Sequence, residues 1–190
     1  MEKSIFLAGS GGHGIQVVGK TVVQAADTEK EKVTYSPRYG VEKRGGLSSC
    51  YIVISDEMIG NPRKTKNDVV IVMDEKSFLQ FKDSVKQGGT LILNSTMISD
   101  TERTGEDCHV LQLPLMQAAQ ELGNPKVISS ILLGVLAGLP GIIESPQRLK
   151  EHMLKILSKK PELLKLNEKA FDTGMRLVQT EQTEEETYES

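Results

Sequence analysis

Residues 4–14 read SIFLAGSGGHG, an apolar run from Ile5 to Ala8 that leads into Gly9, Gly11, Gly12 and Gly14. The run has the length of a short buried strand. Directly after the glycines, IQVVGKTVVQAA places Ile15, Val18, Val22 and Ala25 or Ala26 on one helical stripe. The opening unit is therefore strand, glycine turn, helix. Gly9, Gly11 and Gly14 fit G-x-G-x-x-G, a turn that lets backbone approach a dinucleotide pyrophosphate at a helix N-terminus. The same glycines also suit a tight strand-to-helix turn that holds no ligand.

A dinucleotide site needs a second support, an acidic side chain about 20 residues on, at the end of the next strand. The segment KEKVTYS offers a strand at Val33–Tyr35, and its end is Thr34, Tyr35 and Ser36. Glu29 and Glu31 precede that strand, and Asp27 stands near the helix end. No carboxylate is placed where the ribose needs one, so the NAD reading loses its second leg. The backbone N–H groups of the turn remain a physical place for an anion of any kind.

Further along, PRYGVEKRGG reads as a long charged loop carrying Arg38, Lys43 and Arg44 among three glycines. LSSCYIVIS, DVVIVM, GGTLILNS and CHVLQLP supply further strands. A helix over Glu75–Val85 turns Phe78, Phe81 and Val85 toward the sheet. Continuous apolar strands alternating with helices point to an α/β fold: three α/β/α layers around a mostly parallel sheet, with a Rossmann-like start. From Leu115 the pattern turns helical. VISSILLGVLAGLPG is apolar on nearly every side, so it belongs in this domain's core or in a subunit interface. Ser145 and Pro146 open a helix with Leu149, Met153, Ile156 and Leu157 inward. Another starts at Pro161 with Leu163, Leu166, Ala170, Phe171 and Val178 on its stripe. Residues 1–179 form one domain in this reading, and the Glu-rich residues 180–190 form an acidic disordered tail.

Bulk properties limit the function. The 190 residues carry a net charge of -3 with four Phe, four Tyr and no Trp, which argues against a phosphate-neutralising surface or a base-stacking platform for nucleic acid. The start MEKSIFLAG lacks the pattern of an export signal, and no window has the length of a membrane span, so the expectation is a cytoplasmic protein without a membrane contact. Cys50 and Cys108 are isolated and form no C-x-x-C pair. His109 falls in a strand and His152 on a helix, positions that suit structural roles.

GSGGHG near the start combined with YGVEKRGG at Tyr39–Gly46 resembles the gamma subunit, or the equivalent fused domain, of the 2-oxoacid:ferredoxin oxidoreductases, whose signature is a G-x-G-G-Q-G turn followed by a Y-G-P-E-x-R-G-G loop. Order and spacing both match. SDEMIGNP, ELGNPK at Glu121–Lys126, Leu133 with Gly134, and NEKAFDTG at Asn167–Gly174 extend the likeness over nearly the whole chain. His13 stands where the family usually has Gln, and Val41 where it usually has Pro.

The resemblance implies a non-catalytic subunit of a heterotetrameric enzyme that converts a pyruvate-, 2-oxoglutarate- or branched-chain-type 2-oxoacid and coenzyme A to acyl-CoA and CO2. Electrons pass to ferredoxin. It implies alpha, beta and possibly delta partner chains, which carry thiamine diphosphate, Mg and the iron–sulfur clusters. The site residues it implies here are Gly9, Gly11, Gly12, His13 and Gly14 in the first motif, with Arg38, Tyr39, Gly40, Glu42, Arg44, Gly45 and Gly46 in the second. The glycines would supply backbone donors or close approach, and Arg38, Lys43 and Arg44 a basic rim steadied by Glu42. Two alternatives stay open: the small subunit of an indolepyruvate oxidoreductase, and a free-standing Rossmann-type nucleotide-binding protein.

Overall fold

The computed structural model describes residues 1–26, 31–40, 46–99, 108–158 and 160–188, with side chains described as far as residue 183. Strand β1 (Glu2–Ser10) carries the apolar run, and α1 (Ile15–Ala26) follows the glycine turn. Next come β2 (Lys32–Tyr39), β3 (Leu47–Ser55), β4 (Asn67–Val72), α2 (Glu75–Phe81), β5 (Val85–Asn94) and β6 (His109–Leu113). The helical part is α3 (Leu115–Glu121), α4 (Ile128–Gly138), α5 (Pro146–Leu157) and α6 (Leu164–Tyr188).

The strands form one sheet in the order β2-β3-β1-β4-β5-β6. β3 is antiparallel to both its neighbours, whereas β1, β4, β5 and β6 pair in parallel. β2 therefore points the same way as β1, and β3 alone opposes the rest. The mostly parallel α/β expectation holds. A strict Rossmann unit does not form, because β3 sits between β1 and β2. With strands about 4.8 Å apart, the end of β2 lies two strand spacings from the glycine turn, a further reason why that strand offers no ribose-binding acid.

Residue alternation sorts the core onto two faces. Ile5, Leu7, Ile52, Ile54, Ile71 and Ile92 pack under α1, α3, α4, α5 and α6, whereas Phe6, Ala8, Val70, Val72, Leu91 and Leu93 pack under α2 with Phe78. The apolar helix α4 is buried in this chain's own core and packs mainly on α6. Its Gly134 and the Gly174 of α6 are the close-approach points: a methyl on Gly134 would run into the Phe171 carbonyl oxygen, and one on Gly174 into the Ile131 carbonyl oxygen. Ser130 Oγ donates to Asn167 Oδ1 at 2.6 Å inside the same crossing.

Several boundaries depart from the sequence reading. β2 continues through Pro37, Arg38 and Tyr39, residues expected in a loop; an edge strand tolerates a proline because one side of its ladder has no partner strand. α2 stops at Phe81 and a single turn of 3-10 helix covers Lys82–Ser84, so Val85 opens β5 opposite Asn67 instead of closing the helix. Ser145 caps α5 by accepting from the Arg148 N–H. On α5, Leu149 and Met153 are buried and Leu157 packs against the core, yet Ile156 is 47% exposed. The inner stripe of α5 thus follows the i, i+4 row and leaves Ile156 to one side. The acidic stretch read as a disordered tail is helical to Tyr188, since Glu and Gln are good helix formers and α6 is already nucleated by packing upstream.

Candidate functional site

The two glycine motifs meet at the carboxyl edge of the sheet. β1 and β3 pair to their ends, with Ser10 opposite Leu47, and the Gly11 N–H donates to the Gly46 carbonyl at 2.9 Å. Gly40 closes the neighbouring bend by donating to the Leu47 carbonyl at 2.6 Å. Gly9, Gly11, Gly12, His13 and Gly14 thereby stand beside Gly40 and Gly46, with exposed Arg38 and Tyr39 at the end of β2. Glu42, Lys43, Arg44 and Gly45, together with Val41, lie outside the described residues.

Gly14 is required by its backbone: its φ is 72°, and a Cβ there would lie 2.9 Å from Ser129 Cβ at the head of α4. Not every amide in the turn faces outward. Gly11 uses its N–H on Gly46, and His13 donates to the Ser10 carbonyl at 3.3 Å. Gly12 faces open space, with nothing within 4 Å of its ideal Cβ. Its N–H, that of Gly14 and the first turn of α1 are the donors left for a ligand.

Beneath the turn lies a carboxylate that sequence reading missed. Asp74 follows β4 and caps α2: Oδ1 accepts from the N–H and hydroxyl of Ser77 at 2.9 and 2.8 Å, and Oδ2 from the N–H and hydroxyl of Ser10 at 2.7 and 2.8 Å. Burial works to raise this carboxyl, but the four bonds from Ser77 and Ser10 outweigh it and hold the group below the ordinary carboxylate value. The residue is 7% exposed and ionised at neutral pH. Its signal was present as an Asp between an apolar strand and a helix, three residues before Ser77, which is an N-cap pattern.

His13 packs over that carboxylate. Its Nδ1 lies 3.5 Å from Asp74 Oδ2, with the side chain 13% exposed. Burial lowers the imidazole's affinity for a proton more than Asp74 raises it, so the ring is neutral at pH 7. A Cβ at Gly9 would sit 2.8 Å from His13 Nδ1 and 2.9 Å from Met73 Cβ, so the ring rests directly on a residue without a side chain.

A second polar knot fastens the head of α1 to the β2–β3 hairpin. Gln16 Nε2 donates to Ser48 Oγ at 2.8 Å, to the Ser49 carbonyl at 3.0 Å and to the Arg38 carbonyl at 3.4 Å, and the Tyr35 hydroxyl donates to Gln16 Oε1 at 2.5 Å. Burial first, then Cys50 and Tyr39, push the Tyr35 phenol up to about 12. Asn94 does the same service on the other side: its Nδ2 donates to the Met73 carbonyl at 3.0 Å and its Oδ1 accepts from the Met116 N–H at 3.2 Å. A surface of glycine backbone, one neutral imidazole and the exposed apolar side chains Val17 and Tyr39 results. It can bind and dock.

Among the described residues no set of three or more His, Cys, Asp or Glu side chains is arranged to hold a metal ion. Cys50 belongs to the core on the α1 face, whereas half-buried Cys108 packs on the α2 face. No described helix is long and apolar enough to cross a membrane.

Residues 4–177 match the model of the family described as pyruvate ferredoxin/flavodoxin oxidoreductase. The chain is similar to the ketoisovalerate oxidoreductase subunit VorA of Methanothermobacter thermautotrophicus, with 31% identity over 175 residues, 91% of this chain and 36% of that one. It therefore spans about a third of the length of that relative. It is also similar to the 2-oxoglutarate synthase subunit KorC of Methanothermobacter marburgensis, with 30% identity over 184 residues, 94% of this chain and 97% of that one. Among solved structures, the 2-oxoglutarate:ferredoxin oxidoreductase from Magnetococcus marinus with 2-oxoglutarate, coenzyme A and succinyl-CoA bound superimposes with a TM-score of 0.86 and 26% identity, covering 94% of this chain and 31% of that one.

Proposed function

The chain belongs to the pyruvate ferredoxin/flavodoxin oxidoreductase family, and on that premise we propose that it is the gamma subunit of a cytoplasmic, multi-subunit 2-oxoacid:ferredoxin oxidoreductase. The complex oxidatively decarboxylates a 2-oxoacid with coenzyme A, releasing acyl-CoA and CO2, and passes the electrons to ferredoxin. The observation that carries this reading is the end-to-end likeness to KorC, a separate subunit of matching length. In this reading alpha, beta and possibly delta chains hold the thiamine diphosphate, Mg and iron–sulfur clusters. This chain supplies a docking surface and the coenzyme A side of the site.

The residues fit that role through the carboxyl edge. Gly12 borders open space at the turn and exposed Arg38 stands at the end of β2; with Lys43 and Arg44, which lie outside the described residues, Arg38 would supply cations suited to a phosphate or a partner carboxylate. Coenzyme A brings the thiol that accepts the acyl group; the glycine turn orients it and supplies no reacting atom.

The test is purification of the tagged chain from its native cell without oxygen, followed by CoA-dependent viologen reduction with pyruvate, 2-oxoglutarate, 2-ketoisovalerate and indolepyruvate. Co-purification of a thiamine-dependent partner and reduction with one of the first three acids is expected. Activity with indolepyruvate alone assigns the chain to the indolepyruvate enzymes instead. Recovery of the chain by itself with no activity overturns the proposal. Arg44→Ala is expected to raise the KM for CoA or weaken assembly, and an assembled enzyme unchanged in both removes the role given to that loop.

A further inference from the structure

A sheet in the order β2-β3-β1-β4-β5-β6 leaves β2 and β6 each with a partner strand on one side only. Unpaired N–H and C=O groups along such an edge invite a strand from another chain. The two edges are defended differently. β2 carries Pro37, which has no N–H to offer, between Lys32 and Arg38, and Arg63 Nε donates to Ser36 Oγ at 2.7 Å beside it. β6 reads HVLQL, with neither proline nor lysine, so its edge needs a guard from elsewhere.

That guard comes from α6, which packs against β6. The Leu113 carbonyl accepts from the Ser95 N–H at 2.9 Å on the β5 side. Leu111 and Leu113 therefore turn their backbone groups toward β5, and the alternate residues Val110 and Gln112 turn theirs outward. The outward Gln112 N–H donates to Glu181 Oε1 at 3.3 Å. Pro114, next in the outward row, has no N–H. Along α6 the inward row runs Phe171, Gly174 and Val178, all buried, and then reaches half-buried Glu181. An acid stands where the row would otherwise place an apolar residue, because at this point the helix meets strand backbone instead of core.

We propose that Glu181 is an edge guard: it engages the Gln112 N–H, holds the end of α6 against β6, and so closes the sheet to a second copy of this chain. The strand it excludes is β6 of that copy. Two antiparallel β6 strands related by a two-fold axis through Leu111 place Val110 of each opposite Gln112 of the other, so that outward groups meet outward groups. The edge is self-complementary once the guard is lifted. This inference does not depend on the reaction proposed above.

The experiment compares the full chain with Glu181→Gln, Glu181→Lys, Thr180→Lys and a chain ended after Gln179, which keeps Val178, the last buried apolar residue described in α6. Amide exchange at Gln112 and light scattering at rising concentration are the readouts, and the melting temperature checks that the fold is intact. Glu181→Lys and the shortened chain are expected to exchange the Gln112 amide about tenfold faster at low concentration and to dimerise as concentration rises. Glu181→Gln, which keeps an acceptor, and Thr180→Lys, on the exposed side of the helix, are expected to match the wild type in both. A Gln112 amide that exchanges at the wild-type rate in Glu181→Lys and in the shortened chain overturns the guard, and so does a failure of both to associate at any concentration. Assemblies that grow past the dimer overturn the two-fold β6 pairing.

Discussion

Ser10 and Asp74 are joined twice through one oxygen, the backbone N–H and the hydroxyl of Ser10 both ending on Asp74 Oδ2, at 2.7 and 2.8 Å. The glycine turn is thus tied to the end of β4 by a carboxylate whose other oxygen is committed to α2. Ser10→Ala removes one charge-assisted bond and is expected to destabilise by about 1–3 kcal/mol. Asp74→Ala leaves the donors of both Ser10 and Ser77 unpaired, with an expected loss of about 3 kcal/mol or more. Urea unfolding of the two variants against the wild type checks both the order and the size.

His13 links acidity to stability. Its folded-state proton affinity is below the ordinary imidazole value of about 6.5, mainly through burial. The folded protein then holds fewer protons than the unfolded chain in the window between the lowered value and 6.5. Stability is full above that window and declines as pH falls through it, by at most about 1.4 kcal/mol per pH unit. His13→Gln is expected to flatten this part of a stability-versus-pH curve. Asp68 and Asp74, also lowered, add their own loss only nearer the carboxylate range.

Gly134 and Gly174 each press against the other helix's backbone, at the Phe171 and Ile131 carbonyl oxygens. Backbone atoms cannot rotate aside as a side chain would. Alanine at either position is expected to destabilise by about 3 kcal/mol, the upper end of overpacking effects. Gly60→Ala, with nothing within 4 Å, is the control and is expected to leave the melting temperature nearly unchanged.

Cys50 is fully buried, and burial pushes its thiol up to about 12. Thiolate is the reactive form, so Cys50 is expected to resist a thiol reagent in the native chain and to react once the chain is unfolded. Half-buried Cys108 is expected to react first. One fast equivalent before denaturation and a second after it is the outcome that Ellman's reagent checks.

The sequence reading reached the strand, turn and helix at Ile5–Ala26 because period-2 and period-3.6 patterns are local. Gly11 and Gly46, one from each motif that carries the resemblance, are joined by a hydrogen bond. The sequence reading missed Pro37–Tyr39 as strand, because edge pairing with Cys50, Ser49 and Ser48 is a tertiary fact that local propensity opposes. The direction of β3 was equally invisible, since a buried antiparallel strand between parallel neighbours has the same apolar run as a parallel one. Asp74 and Gln16 act across the fold, on Ser10 and on the β2–β3 hairpin, and long-range partners of single polar residues leave no periodic trace. The loop residues 41–45, which include Lys43 and Arg44, lie outside the described residues.

The position of β1 has a consequence for how the chain is made. Ile5 pairs with Ile52 on one side and Val69 on the other, so β1, synthesised before both of its partner strands, ends in the middle of the sheet. The β2–β3 hairpin can zip by itself in about 1–10 μs, whereas synthesis at about 5–20 residues per second delays the last partner by seconds. During that interval Ile5 to Ala8 have no sheet to enter, which makes the newly synthesised β1 segment the natural ward of a chaperone.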